Sequence, residues 1–187
     1  MKILAFAGSN SEVSINKKLV TFVTSFFKDD DVEILDLNDF ELPIYKNERE
    51  IKDGIPQPAL DFAKKIDDSD LILLSTPEHN GNFPAVFKNL MDWISRIKGR
   101  KIFNGKPMVL MATSGGARGG ASVLEIAEKR FPFDGAEILQ TFSLPKFHEN
   151  FEVEKGILDD EKLIELKEKI EISIIKITTT ALRKTTW

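Results

Sequence analysis

The chain has no cysteine. That absence excludes disulfides, thiolate nucleophiles, iron–sulfur ligation and redox dithiols. Histidine is nearly missing too: His79 and His148 are the only two, so no histidine-rich metal site can be built and none is expected. Any redox chemistry must therefore be carried by a bound cofactor. Positive charge is not in excess, since 26 Lys and Arg against 30 Asp and Glu leave a formal net charge of -4. There is no basic footprint for nucleic acid, and no nucleic-acid partner is expected. No apolar run approaches membrane-spanning length, and the few apolar residues between Met1-Lys2 and Gly8 are too short for the core of a signal peptide. The expectation is a cytoplasmic protein without a membrane partner, forming one domain over residues 1–187.

What the chain does have is a regular alternation of apolar segments. Ile3 to Ala7 reads as a strand buried on both faces, and from Ser14 the residues Ile15, Leu19, Phe22, Val23, Phe26 and Phe27 follow helical spacing. Val32 to Leu37 reads as a second strand, followed by a long irregular stretch that contains Leu42-Pro43-Ile44-Tyr45. A helix over Pro58 to Ile66 precedes a third strand, Leu71 to Leu74. Pro84 suits the first position of a helix carrying Phe87, Leu90, Met91, Ile94 and Ile97 on one stripe. After a polar connection come a fourth strand, Pro107 to Ala112, a helix after Gly120 and a fifth strand at Ala136 to Leu139. A loose segment with Phe147 and Phe151 leads to Asp159, the expected N-cap of a long last helix.

Such alternation implies an α/β fold with a parallel sheet covered on both faces. For five strands the natural arrangement is the flavodoxin-like three-layer sandwich, with strand order 2-1-3-4-5 and helices on both faces. Three polar loops follow strands 1, 3 and 4. They are Ser9 to Asn16, Pro77 to Pro84 and Ser114 to Gly120. In the expected order these strands are neighbours, so the loops meet at the carboxyl edge, where open α/β sheets bind ligands.

The first loop runs into a helix, whose unpaired amides favour an anion. Ser9, Ser11, Ser14 and Asn16 add hydroxyl and amide donors suited to a phosphate monoester, although a serine at position 14 would also serve as an ordinary N-cap. Neither G-x-G-x-x-G nor G-x-x-x-x-G-K-[ST] is present, so Rossmann-type dinucleotide binding and P-loop hydrolysis lack support. The second loop offers Asn80, Asn82 and a permissive Gly81 to a polar ring edge. His79 reads as a general acid, a stacking surface or a plain loop residue, and Glu78 as a turn or interface residue. In the third loop, Gly115, Gly116, Gly119 and Gly120 imply close packing on a ligand or unusual dihedrals. Arg118 reads as solvated, as a subunit contact or as a partner for an anionic substrate. Tyr45 either overhangs the site or anchors its loop, and Trp93, off the apolar stripe, belongs at a dimer surface or near the ligand.

Together these residues resemble the NADPH-dependent FMN reductase family, which includes chromate and quinone reductases and small azoreductases. Gly8, Ser9, Ser14 and Asn16 match a signature G-S-x-R-x-x-S-x-N, with Ser11 where arginine is frequent. Pro77, Glu78, Asn80, Pro84, Lys88, Asn89, Asp92 and Trp93 match P-E-Y-N-x-x-x-P-x-x-x-K-N-x-x-D-W, with His79 for the tyrosine. The likeness runs from Ile3 to about Leu144.

The resemblance implies non-covalent FMN, with its phosphate on Ser9, Ser11, Ser14, Ile15 and Asn16 and its ring against Pro77, Glu78, His79, Asn80, Gly81, Ser114, Gly115 and Gly116. It also implies NADPH or NADH as electron donor, a small-molecule acceptor, and a homodimer or tetramer with the helix after Pro84 at an interface. Without the arginine, a weakly held flavin is expected. The reaction so implied passes hydride from reduced nicotinamide to flavin N5 and then to a quinone, azo compound, chromate or free flavin, and no side chain need be catalytic. The rival reading is a flavodoxin-like electron carrier or FMN-binding module without nicotinamide oxidation. A third is a degenerate member that has lost FMN.

Overall fold

A computed structural model describes residues 1–185. Its five parallel strands, β1 (Lys2–Ala7), β2 (Asp31–Leu35), β3 (Leu71–Ser75), β4 (Pro107–Thr113) and β5 (Glu137–Leu144), are hydrogen-bonded in the order β2-β1-β3-β4-β5. This is the flavodoxin-like order expected from the alternation. The central strand β3 is buried at every position, as a strand covered on both faces must be. The edge strands β2 and β5 mix buried and exposed residues instead.

Side chains alternate across each strand, so two separate cores form. On one face Leu4, Phe6, Ile72, Leu74 and Leu110 pack against α3 (Gln57–Asp68), α4 (Ala85–Ile94) and α5 (Ala121–Arg130). Phe6 meets Phe62 edge-on at 5.0 Å between ring centroids. On the other face Ile3, Ala5, Leu73, Val109 and Met111 pack against α1 (Ile15–Thr24) and the long α7 (Asp160–Thr185). The remaining elements are the short helices α2 (Asn47–Asp53) and α6 (Phe147–Asn150), a 3-10 turn at Leu37–Phe40 and a small antiparallel pair, β6 (Phe151–Glu152) with β7 (Gly156–Ile157).

Several elements differ from the sequence reading, among them the segment with Phe147 and Phe151, which holds α6, β6 and β7. The fifth strand runs on to Leu144. The second strand ends at Leu35, and the chain then turns through the 3-10 segment because the Asp36 carboxylate accepts from the Asn38 amide at 2.9 Å. The stretch read as irregular contains α2, which has no buried residue and so gives no apolar period.

That stretch is a strap laid over α4. Asn89 donates to the carbonyls of Leu42 and Pro43 at 3.3 and 3.2 Å and accepts from the Tyr45 amide at 2.8 Å. Trp93 Nε1 donates to the Pro43 carbonyl at 2.7 Å, and the Tyr45 ring stands edge-on to the indole at 5.1 Å. Trp93 is 0% exposed, which corrects its expected place at a dimer surface or beside a ligand. The strap covers it from outside the sheet. Tyr45 accordingly anchors its loop, with its hydroxyl donating to Glu50 at 2.9 Å, and Arg96 closes the cluster by donating to Glu50 at 2.8 Å.

The Arg96 guanidinium, aided by the Tyr45 hydroxyl, holds the Glu50 carboxyl below the usual carboxylate range, and the bond to Glu50 pushes the Tyr45 phenol up. Because the folded value of Glu50 is the lower one, its contribution is present at neutral pH and is lost as the pH falls through that value. The protection of the Tyr45 amide against exchange, measured relative to its intrinsic rate at each pH, is therefore expected to fall in acid before that of the sheet amides. Asn89→Ala, which strands one amide and two carbonyls, is expected to lower stability by about 1–3 kcal/mol in urea unfolding.

Candidate functional site

The carboxyl ends of β3 and β4 are tied to the start of α1 by one buried side chain. Asn16, in the first turn of α1, donates from Nδ2 to the Thr113 carbonyl at 3.1 Å. Its Oδ1 accepts from the Thr113 amide at 3.1 Å and from the Ser75 hydroxyl at 2.7 Å. The Gly8 amide donates to the Ser75 carbonyl at 2.9 Å, and the Thr76 amide to the Met111 carbonyl at 2.8 Å. These bonds fix where each polar loop leaves the sheet.

In the first loop, Ser14 caps α1, its hydroxyl accepting from the Lys17 amide at 3.2 Å. Ser9 similarly accepts from the Ser11 amide at 3.2 Å. The amides of Ile15 and Asn16, at the positive end of the helix, have no partner among the described residues. With the hydroxyls of Ser9, Ser11 and Ser14 they make a set of neutral donors. Lys17 adds little charge here because it is paired with Asp36, whose carboxyl it holds below the usual carboxylate range. Three bonds within the protein hold the Asn16 side chain in place, and its backbone amide is open to an anion.

The second loop folds into a tight turn. His79 and Asn82 exchange backbone hydrogen bonds at 2.9 and 3.1 Å around Asn80 and Gly81, whose φ angles are 53° and 75°. Two successive positive φ values define a type I′ turn, the geometry that selects Asn-Gly. Glu78 acts structurally: its carboxylate accepts from the amides of Ser122 and Val123 at 3.0 and 3.3 Å. It thereby caps α5, whose own N-cap is Gly120 with no side chain to offer.

The glycines of the third loop divide into two kinds. A Cβ on Gly119 would stand 2.9 Å from the Pro145 nitrogen, and one on Gly120 would stand 2.8 Å from the Ala112 Cβ. Those two are required by the protein's own packing. On Gly115 and Gly116 a Cβ would meet nothing closer than 3.8 and 3.9 Å, and neither has a positive φ. Neither glycine is required by the packing around it. Arg118 rests against Ser122 at 2.9 Å on the surface.

Ser9, Ser11, Ser14, Ile15, Asn16, Pro77, Glu78, His79, Ser114 and Gly115 line one cleft of about 290 Å³. Asn80, Gly81 and Gly116 stand outside its lining. Val13 and Thr113 also line the cleft, and the sequence reading passed over both. His148 was missed as well. It approaches Gly115 because α6 is pinned to the third loop by bonds from Lys146 to Gly116 at 2.9 Å and from Phe147 to Ser114 at 3.0 Å. Only the position of Thr113, directly before Ser114, gave a sequence signal.

A chain with this sheet, this anion-ready helix terminus and this bare loop matches the NADPH-dependent FMN reductase family model over residues 1–149, and it belongs to that family of oxidoreductases. It is 30% identical over 175 residues to the NADH:(hydroxy)cinnamate reductase subunit of Vibrio ruber, covering 90% of this chain and 83% of that one. It is 35% identical over 122 residues to a 2-hydroxy-1,4-benzoquinone reductase from a Burkholderia species, covering 65% of this chain and 64% of the relative. The fold is also that of a flavoenzyme NAD(P)H:(acceptor) oxidoreductase from Paracoccus denitrificans, with a TM-score of 0.77 at 24% identity over 95% of this chain and 97% of that one.

The residues present fit FMN: unpaired amides and hydroxyls suit a phosphate, and a side-chain-free wall suits a ring. Two substitutions separate scaffold from ligand contacts. Asn16→Ala is expected to cost about 1–3 kcal/mol of stability by orphaning buried groups. Glu78→Ala is expected to cost about 1 kcal/mol through loss of the α5 cap. Chemical denaturation without flavin measures both.

Proposed function

We propose that this chain is an FMN-dependent NAD(P)H oxidoreductase that passes reducing equivalents from a reduced nicotinamide to a small acceptor such as a quinone, azo compound, chromate or free flavin. The observation that carries the reading is that one cleft is lined both by neutral phosphate donors and by the bare backbone of Gly115. Ser9, Ser11, Ser14 and the amides of Ile15 and Asn16 hold the phosphate. Pro77, Glu78, His79, Asn80, Gly81, Ser114, Gly115 and Gly116 would lie against the ring. FMN, when bound, supplies the two-electron chemistry. The protein positions it, donates hydrogen bonds and excludes water, and no side chain acts as nucleophile or general acid.

The relatives' names support reduction of small conjugated acceptors, since they include a benzoquinone reductase and a flavin reductase subunit. No helix among the described residues is long and apolar enough to cross a membrane, which accords with a cytoplasmic enzyme. The protein acts as a homodimer or tetramer, with the strap-covered α4 at an interface.

Purified protein mixed with FMN and dialysed is expected to retain an oxidised flavin spectrum that bleaches with NADPH in the absence of air. Flavin retained but not bleached favours an electron carrier, and failure to retain FMN defeats the proposal. Ser11→Arg, which restores the cation frequent in the family, is expected to tighten FMN about tenfold by adding a charge-assisted bond to phosphate, as read by quenching of flavin fluorescence.

A further inference from the structure

Asparagine followed by glycine is a chemically labile pair, because a nitrogen with no Cβ beside it can reach the carbon of the preceding side-chain amide. The chain contains two such pairs, Asn80-Gly81 in the second loop and Asn104-Gly105 before β4. Their backbones are alike, with φ angles of 53° and 75° in the first pair and 48° and 78° in the second. Both asparagines are exposed. Shape and access to water therefore do not distinguish them.

Their hydrogen bonds do. Asn104 donates from Nδ2 to the Asp67 carboxylate at 2.8 Å, and the Gly105 amide donates to the Gly135 carbonyl at 2.6 Å. Each of the two groups that must meet is thus held by another partner. At the first pair the Asn80 side chain and the Gly81 amide have no partner among the described residues. Only the flanking His79 and Asn82 backbones close that turn. His79 itself lines the cofactor cleft.

We propose that Asn80 is a site of spontaneous deamidation bordering the cofactor cleft, and that a bound cofactor protects it. The Gly81 nitrogen loses its proton and attacks Asn80 Cγ. A bond forms between them, the Cγ–Nδ2 bond breaks, and the side-chain nitrogen leaves as ammonia, taking up a proton. Water then opens the five-membered succinimide at one of its two carbonyl carbons. No oxidant or reductant takes part.

The two products differ in what they do to the loop. Opening at Cγ leaves an aspartate, which suits the same turn as asparagine, so the His79–Asn82 bonds survive. Opening at the backbone carbonyl carbon reroutes the chain through Cγ. That isoaspartate adds one carbon to the main chain and breaks the pairing. Either product puts a negative charge into a loop beside a cleft whose proposed guest carries a phosphate.

For the test, flavin-free protein is aged in mildly alkaline buffer and mapped by tryptic digestion and mass spectrometry. Trypsin cuts at Lys88, between the two pairs, so each is followed on its own peptide. Conversion at Asn80 is expected to run at least about tenfold faster than at Asn104, where two hydrogen bonds must break first. Equal rates at the two pairs, or no conversion at Asn80, overturn the proposal.

Protection by the cofactor rests on the oxidoreductase reading, and a parallel incubation with FMN tests it. FMN that quenches on binding is expected to slow conversion at Asn80 several-fold and to leave the rate at Asn104 unchanged. Bound FMN that leaves Asn80 just as reactive overturns the protection. Protein that converts at Asn80 but retains no FMN defeats the oxidoreductase reading and leaves the deamidation site standing.

Discussion

The buried amide of Asn16 holds the carboxyl edge of the sheet together. It bridges Ser75 at the end of β3 and both backbone groups of Thr113 at the end of β4, while its own backbone belongs to the first turn of α1. One side chain thus sets the height and direction of a helix terminus relative to two neighbouring strands. Everything at the site inherits that geometry: the unpaired amides above it, the start of the second loop after Ser75 and the start of the third after Thr113. A buried polar group held by several bonds at once favours one arrangement, because a slip breaks them together.

Around this anchor, several residues of the signature build the platform. Glu78 ties the second loop to the helix that follows the third. Asn89 and Trp93 fasten the strap over α4. These three lie in the same signature as Pro77 and Asn80, yet the bonds they make are internal. A signature of this kind records the scaffold as much as the chemistry.

The sheet and its order could be read from the chain because apolar strands and helical stripes report burial against the sheet directly. The burial of Trp93 could not, since helical periodicity measures the face turned to the sheet and says nothing of a segment that folds back over the other side. α2 was silent because Asn47–Asp53 buries nothing. The far half of β5 was hidden by Gln140, Thr141 and Ser143, polar residues that an edge strand tolerates. At the site, residue types and loop positions located the cleft, but the duties of Asn16 and Glu78 depend on partners 97 and 44 residues away. His148 reaches Gly115 only through the pairing of α6 with the third loop. Such long-range bonds leave no local pattern.

The bonds from Glu78 to α5 and from α6 to the third loop have a further consequence. Both jaws of the cleft are already locked by the protein's own hydrogen bonds, so a ligand entering it has little backbone to order. Preorganisation of this sort reduces the entropic penalty of association to what the ligand itself loses.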